Sequence, residues 1–209
     1  CPLFRWRDGD ASVLSLIGAG VSDYLDAIGN EPRELAAALR ALAWDRLELS
    51  ELRDGSPLLA IKLPGLDLRV RQEACPALAI DPREPLAALH PGLRREIAYQ
   101  RRRAARELGI DHQPASLDAL WTLHRARWQA RGETGVLDRD RLALLEEVGD
   151  HVVGVGVRFG DDLAAIAIGL RDRDCIRYYL GGFDPAYGRR SAGTLAIAAL
   201  IEEAARRGA

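Results

Sequence analysis

The segment Arg189-Arg-Ser-Ala-Gly-Thr194 sets two arginines and a glycine directly ahead of an apolar run with helical spacing. A helix N-terminus presents free N–H donors and the positive end of the helix dipole, so this segment suits a phosphate or pyrophosphate. Gly193 would let the backbone approach such a group closely. A solvated helix start is the plainer alternative. Just upstream, Tyr178-Tyr-Leu-Gly-Gly-Phe-Asp184 joins aromatic residues, two glycines and a carboxylate. Such a strand can offer backbone N–H groups to a developing oxyanion and a base at its end, or it can simply pack a sheet. Tyr178 and Tyr179 point to opposite faces, so only one of them faces a substrate. His124, Arg127 and Trp128 lie one helical turn apart on a shared face. An unperturbed histidine titrates in the range of a useful base, and a half-buried structural histidine fits the same position. The densest charge is Arg94, Arg95, Arg101, Arg102, Arg103 and Arg106 against Glu96 and Glu107. It reads as a solvated helix or as a docking face for an anionic partner.

Periodicity places the elements that would position these groups. Residues 11–17 read as a buried strand, 23–28 as a second strand, and Pro32 opens a helix reaching about Trp44. Strands are expected at 45–49, 57–63 and 66–73, the last two around the turn signal Pro64-Gly65. Pro76, Pro82, Pro85 and Pro91 mark a connector, which puts a domain boundary near residue 90. A helix is expected from Gly92 to Leu108, stopped by Gly109, and the next is capped by Ser116 and ended by Gly132. A shorter helix near 139–148 has Asp138 or Asp140 as its cap. Three strands at 151–159, 163–170 and 175–183, separated by tight polar turns, have the spacing of an antiparallel meander. A helix from about Gly193 to Arg207 follows.

The 209 residues suffice for one large domain or two of about 100 residues each. With 48% hydrophobic and 29% charged residues, the balance is that of a globular protein rather than a disordered chain. A net charge of −2 excludes a general polyanion binder and leaves only local patches for phosphate. Lys62 is the one lysine, a skew expected of a GC-rich, bacterial source. Cys1, Cys75 and Cys175 suggest neither a zinc site nor a disulfide framework, so a cytoplasmic setting is the default expectation. No stretch has the roughly 18 consecutive apolar residues of a membrane span. The chain has no methionine, even at position 1, and stops after a helix at Gly208, so it is expected to be a window from a longer protein.

From residue 110 onward the expected order is short strand, two helices, three antiparallel strands, a glycine-containing loop and a helix. Leu123-His-Arg-Ala-Arg-Trp128, Tyr178-Tyr-Leu-Gly-Gly-Phe-Asp-Pro185, Ser191-Ala-Gly-Thr-Leu195 and Gly20-Val-Ser-Asp-Tyr-Leu-Asp26 are each similar to segments of CelD-type (cellulose-biosynthesis) acetyltransferases. The chain thus resembles the GNAT superfamily, and within it the CelD-type branch, which is related to Fem-type aminoacyltransferases. The resemblance implies an α/β (α+β) fold of tandem GNAT-like domains, with a mixed, mainly antiparallel sheet flanked by helices. Residues 1–90 would be a partial N-terminal domain and 91–209 a partial C-terminal one. It implies an acyltransferase with acetyl-CoA or another acyl-CoA as co-substrate and no metal. Arg189, Arg190, Ser191, Ala192, Gly193 and Thr194 would bind the cofactor. His124, Tyr179 and Asp184 are the catalytic candidates, and Arg127, Trp128 and Gly182 the acceptor-binding ones. Arg190-x-x-Gly193 matches half of the superfamily's pattern. Leu195 stands where a second small residue is usual, and Ala192 where the CelD-type pattern usually has proline. The implied acceptor is an amine or hydroxyl on a sugar, polysaccharide precursor or peptide. Two alternatives stay open: a Fem-type enzyme using aminoacyl-tRNA and the arginine helix, and a non-catalytic scaffold.

Overall fold

The computed structural model describes residues 2–20, 22, 24–27, 32–63, 74–112 and 116–209. These divide into two compact units, Cys1–Ala74 and Cys75–Ala209. In the first, β1 (Leu3–Asp8) and β2 (Ala11–Leu16) form a hairpin, and β3 (Arg46–Glu48) pairs parallel to β2 after α1 (Pro32–Ala41). Val13, Leu14 and Leu16 are buried, as are Ala36 and Leu39 on α1. Three expectations change here. β1 was not expected: Phe4-Arg5-Trp6-Arg7 does alternate, but none of its side chains is buried and it is held by pairing with β2. Residues 24–27 form no strand. The apolar run 57–63 does not extend either: Ser56 accepts the Leu58 N–H and Pro57 starts a 3₁₀ turn, Pro57–Ala60. Local turn chemistry outweighs the apolar pattern at that point. The strand expected at 66–73 lies outside the described residues.

In the second unit, α2 (Pro91–Arg103) leads into β4 (Leu108–Asp111), then α3 (Leu117–Gln129) and α4 (Arg139–Glu147). The strands β5 (Val152–Phe159), β6 (Asp162–Asp172) and β7 (Cys175–Phe183) follow, and α5 (Ala192–Arg206) closes the sequence. The sheet order is β4-β5-β6-β7, antiparallel throughout. It is a mixed α/β arrangement with helices on both faces. Val153, Val155, Val157, Phe159, Ala165 and Ala167 face α2 and α5, while Ile166 and Ile168 face α3 and α4. Burial on both faces explains the near-continuous apolar character of β5 and β6. Ala192, Ala196, Ala198 and Ala199 are all buried, and their small side chains let α5 lie close to the sheet.

Gly109 does not stop a helix. The helix ends at Arg103, and Gly109 sits in β4 opposite Arg158, where ladder pairing with β5 overrides helix propensity. Ser116 caps α3 as expected, and of the two candidates for α4 it is Asp138 that caps it, with Asp140 in the first turn.

Candidate active site

The site gathers around β7, which among the described residues has a sheet neighbour on one side only. An edge strand leaves half of its backbone groups outside the ladder. β7 also carries an irregularity. Gly169 faces Tyr178 but Ile168 faces Leu180, so Tyr179 forms a bulge. The bulge shifts the alternation of side chains. Tyr179 and Leu180 both pack toward the α3–α4 cluster. The Tyr178 hydroxyl instead lies over Gly181, 2.8 Å from where a Cβ would stand.

Two contacts seat α3 on this strand. A Cβ on Gly182 would come within 2.4 Å of His124 N and 2.6 Å of Leu123 C, so only glycine permits this approach. His124, 2% exposed, sets Nδ1 3.3 Å from the Gly181 carbonyl and accepts the Leu137 N–H at Nε2 over 3.4 Å. One neutral tautomer satisfies both bonds, with the proton on Nδ1. Burial lowers the His124 pKa, favouring that neutral form. Neither ring nitrogen is left to take a proton from a bound acceptor.

The remaining candidates separate in the same way. Asp184 accepts the Ala186 N–H at 2.9 Å and so caps the 3₁₀ turn Pro185–Arg190. Gly182 is buried beneath α3 and does not face a cleft. Arg127 does reach the edge of β7. Its guanidinium lies 5.4 Å from the Phe183 ring centroid and 5.6 Å from that of Trp128, and it bonds the Tyr178 hydroxyl. Burial raises the Tyr178 pKa, so its hydroxyl stays protonated at neutral pH. Trp128 walls an open depression of about 490 Å³ with Gly132, Glu133, Thr134, Gly135 and Val136. Arg127 Nε and Trp128 Nε1 are buried without a hydrogen-bond partner.

Beyond β7, the turn delivers the chain to α5 through Ser191, held at a left-handed φ of 54°. Its hydroxyl donates to Glu96 Oε1 at 3.0 Å and makes no cap on α5. The first intrahelical bond runs from Leu195 N to Ser191 O, so no side chain caps the amides of Ala192, Gly193 and Thr194. Hydrogen bonds from Gln100 and then Ser191 hold the Glu96 pKa below its usual value. Gly193 rests against Phe183, where a Cβ would stand 3.2 Å from ring Cδ1. Arg190 turns to Glu107 at 2.6 Å and lies over the Phe159 and Tyr187 rings, and Arg189 is exposed.

Of the two tyrosines weighed, Tyr179 packs inward and Tyr178 reaches the edge, and Phe183 is an edge residue that was not singled out. The bulge that redirects them has no signature in residue types. The described residues contain no group of three or more His, Cys, Asp or Glu able to hold a metal. No described helix is long and apolar enough to cross a membrane. Residues 91–209, more than half of the chain, match the family model described as an acetyltransferase (GNAT) domain. No curated protein matches the chain.

Proposed function

Because the chain belongs to the GNAT acetyltransferase family and is an acyltransferase that uses acyl-CoA, we propose that it acts on an amine or hydroxyl of a sugar, a polysaccharide precursor or a peptide. The observation that carries this placement is the uncapped first turn of α5 beside the open edge of β7. The substrate's pyrophosphate fits the amides of Ala192, Gly193 and Thr194, where the helix dipole favours an anion. Arg189 and Arg190 add positive charge. The Arg190–Glu107 pair is exposed and contributes at most about 1 kcal/mol, so a phosphate can compete for that guanidinium.

The thioester then lies along β7, where edge amides near the bulge meet the charge that develops on its carbonyl. Attack by the acceptor forms the new C–N or C–O bond and breaks C–S. The protonated Tyr178 hydroxyl donates its proton to the departing thiolate, and the proton that the acceptor loses returns to the tyrosinate, leaving the acylated acceptor and free coenzyme A thiol. Arg127 holds that hydroxyl, and the depression beside Trp128 receives the acceptor. His124 and Gly182 act by fixing β7 against α3, and Asp184 by shaping the turn.

The same proposal takes residues 1–90 and 91–209 as two GNAT-like domains in tandem, of CelD type, from a bacterial cytoplasm. Its support is the order β2–α1–β3, a strand, a helix and a parallel strand, whose first two members β7–α5 repeats. The test is release of free coenzyme A thiol from acetyl-CoA against a panel of amino sugars, saccharides and peptides. Acceptor-dependent release that falls at least tenfold in Tyr178→Phe supports the assignment. Equal rates in Tyr178→Phe remove tyrosine from the chemistry.

A further inference from the structure

The arginines of α2 do not all serve the fold. Ile97, Gln100 and Ala104 face inward and are buried. Arg101, on that side, forms a two-bond pair with Glu202 of α5 at 2.6 and 2.8 Å. The opposite face carries Arg95, Tyr99 and Arg102 at positions i, i+4 and i+7, with Arg103 beside them. All four are exposed, Tyr99 by 51%. At 1.5 Å per residue, Arg95 to Arg102 spans about 10 Å of continuous surface.

None of these arginines forms an ion pair with a described residue, because nearby carboxylates are engaged elsewhere. Glu96 accepts from Gln100 and Ser191, Glu107 pairs with Arg190, and Glu202 pairs with Arg101. A chain of net charge −2 thus concentrates unbalanced positive charge on one helix face, interrupted by a single exposed aromatic ring.

We propose that this face of α2 is a docking surface for single-stranded nucleic acid, with Arg95, Arg102 and Arg103 on successive phosphates and Tyr99 stacking on a base. Guanidinium groups match phosphate oxygens in geometry as well as charge. Aromatic rings between cations are the recurring platform for unpaired bases. A membrane fits less well, since the apolar side of α2 is buried in the protein and is not free to insert. Arg95, Tyr99, Arg102 and Arg103 are not among the residues assigned to acyl transfer, although Glu96 beside Arg95 bonds Ser191, so the inference does not rest on that assignment.

The test is fluorescence anisotropy of a labelled 20-nucleotide oligo-dT with the whole protein, alongside inorganic polyphosphate and anionic phosphatidylserine vesicles as probes. Three phosphate contacts predict a log–log salt slope of about −2, so affinity falls roughly 20-fold between 50 and 200 mM salt. Arg95→Gln with Arg102→Gln should weaken binding at least tenfold. Tyr99→Ala should weaken oligo-dT roughly tenfold while leaving polyphosphate unchanged. Melting temperatures matching wild type confirm that these exposed changes leave the fold intact. The proposal is overturned by no oligo-dT binding at 50 mM salt, by equal oligo-dT affinity in Tyr99→Ala, or by vesicle binding that outcompetes the oligonucleotide.

Discussion

Where β7 meets α3 there is no room for one added methyl group, whereas where β7 runs on into α5 the backbone is left open to a ligand. At the first place a Gly182 Cβ would stand 2.4 Å from helix backbone, and both nitrogens of His124 are used. At the second, no side chain caps the first amides of α5, and the flanking cations sit in exposed, weak pairs or in solvent. If the cofactor sits where proposed, the contrast explains how an edge strand could hold it. One contact fixes the strand's position, so the unpaired groups beyond it are preorganised and lose little entropy when the ligand arrives. A histidine that sequence alone offers as a base belongs to the fixed side.

The largest expected effect breaks that side. Gly182→Ala must push α3 from β7 and should cost about 3 kcal/mol in urea denaturation. Wild-type stability in this variant would show that the close approach is not a constraint. Next comes the open side. Gly193→Val crowds Phe183 and the approach to the α5 amides, and should weaken acetyl-CoA at least tenfold, about 1.4 kcal/mol, with little change in unfolding. A smaller effect follows from pH. The folded-state pKa of His124 is depressed, so its contribution is intact above about 6.5 and is lost as pH falls through the lower folded value. Melting temperature should therefore fall from pH 7.5 to 5.5 more steeply in wild type than in His124→Gln. His112, whose pKa burial also lowers, retains part of the slope in that variant. The smallest effect is Arg190→Ala, about 1 kcal/mol in stability because its ion pair and ring contacts are partly exposed, but severalfold in acyl-CoA affinity.

The strands β5 to β7, helix α5 and the Ser116 and Asp138 caps were legible because period, turn residues and cap chemistry all agree there. The short strand expected from residue 110 is β4, but its start at Leu108 was not legible, since that stretch follows an arginine-rich helix and gains its pairing only from β5, over forty residues away. The loop after Asp184 and the start of α5 near Gly193 were legible, but the turning of Arg190 to Glu107 was not. His124, Tyr179 and Gly182 were singled out as chemistry-bearing. Their environments depend on contacts no local pattern encodes: Gly181 lies 57 positions from His124, and the bulge at Tyr179 exists only in the register with β6.

The most direct measurement is calorimetric titration of acetyl-CoA into wild type, His124→Gln and Gly193→Val, each first shown to be folded. Wild type should bind at micromolar affinity, nearly unchanged in His124→Gln and at least tenfold weaker in Gly193→Val. Equal affinity in wild type and Gly193→Val, or no binding by the folded wild-type protein, would contradict the placement of the cofactor at the start of α5.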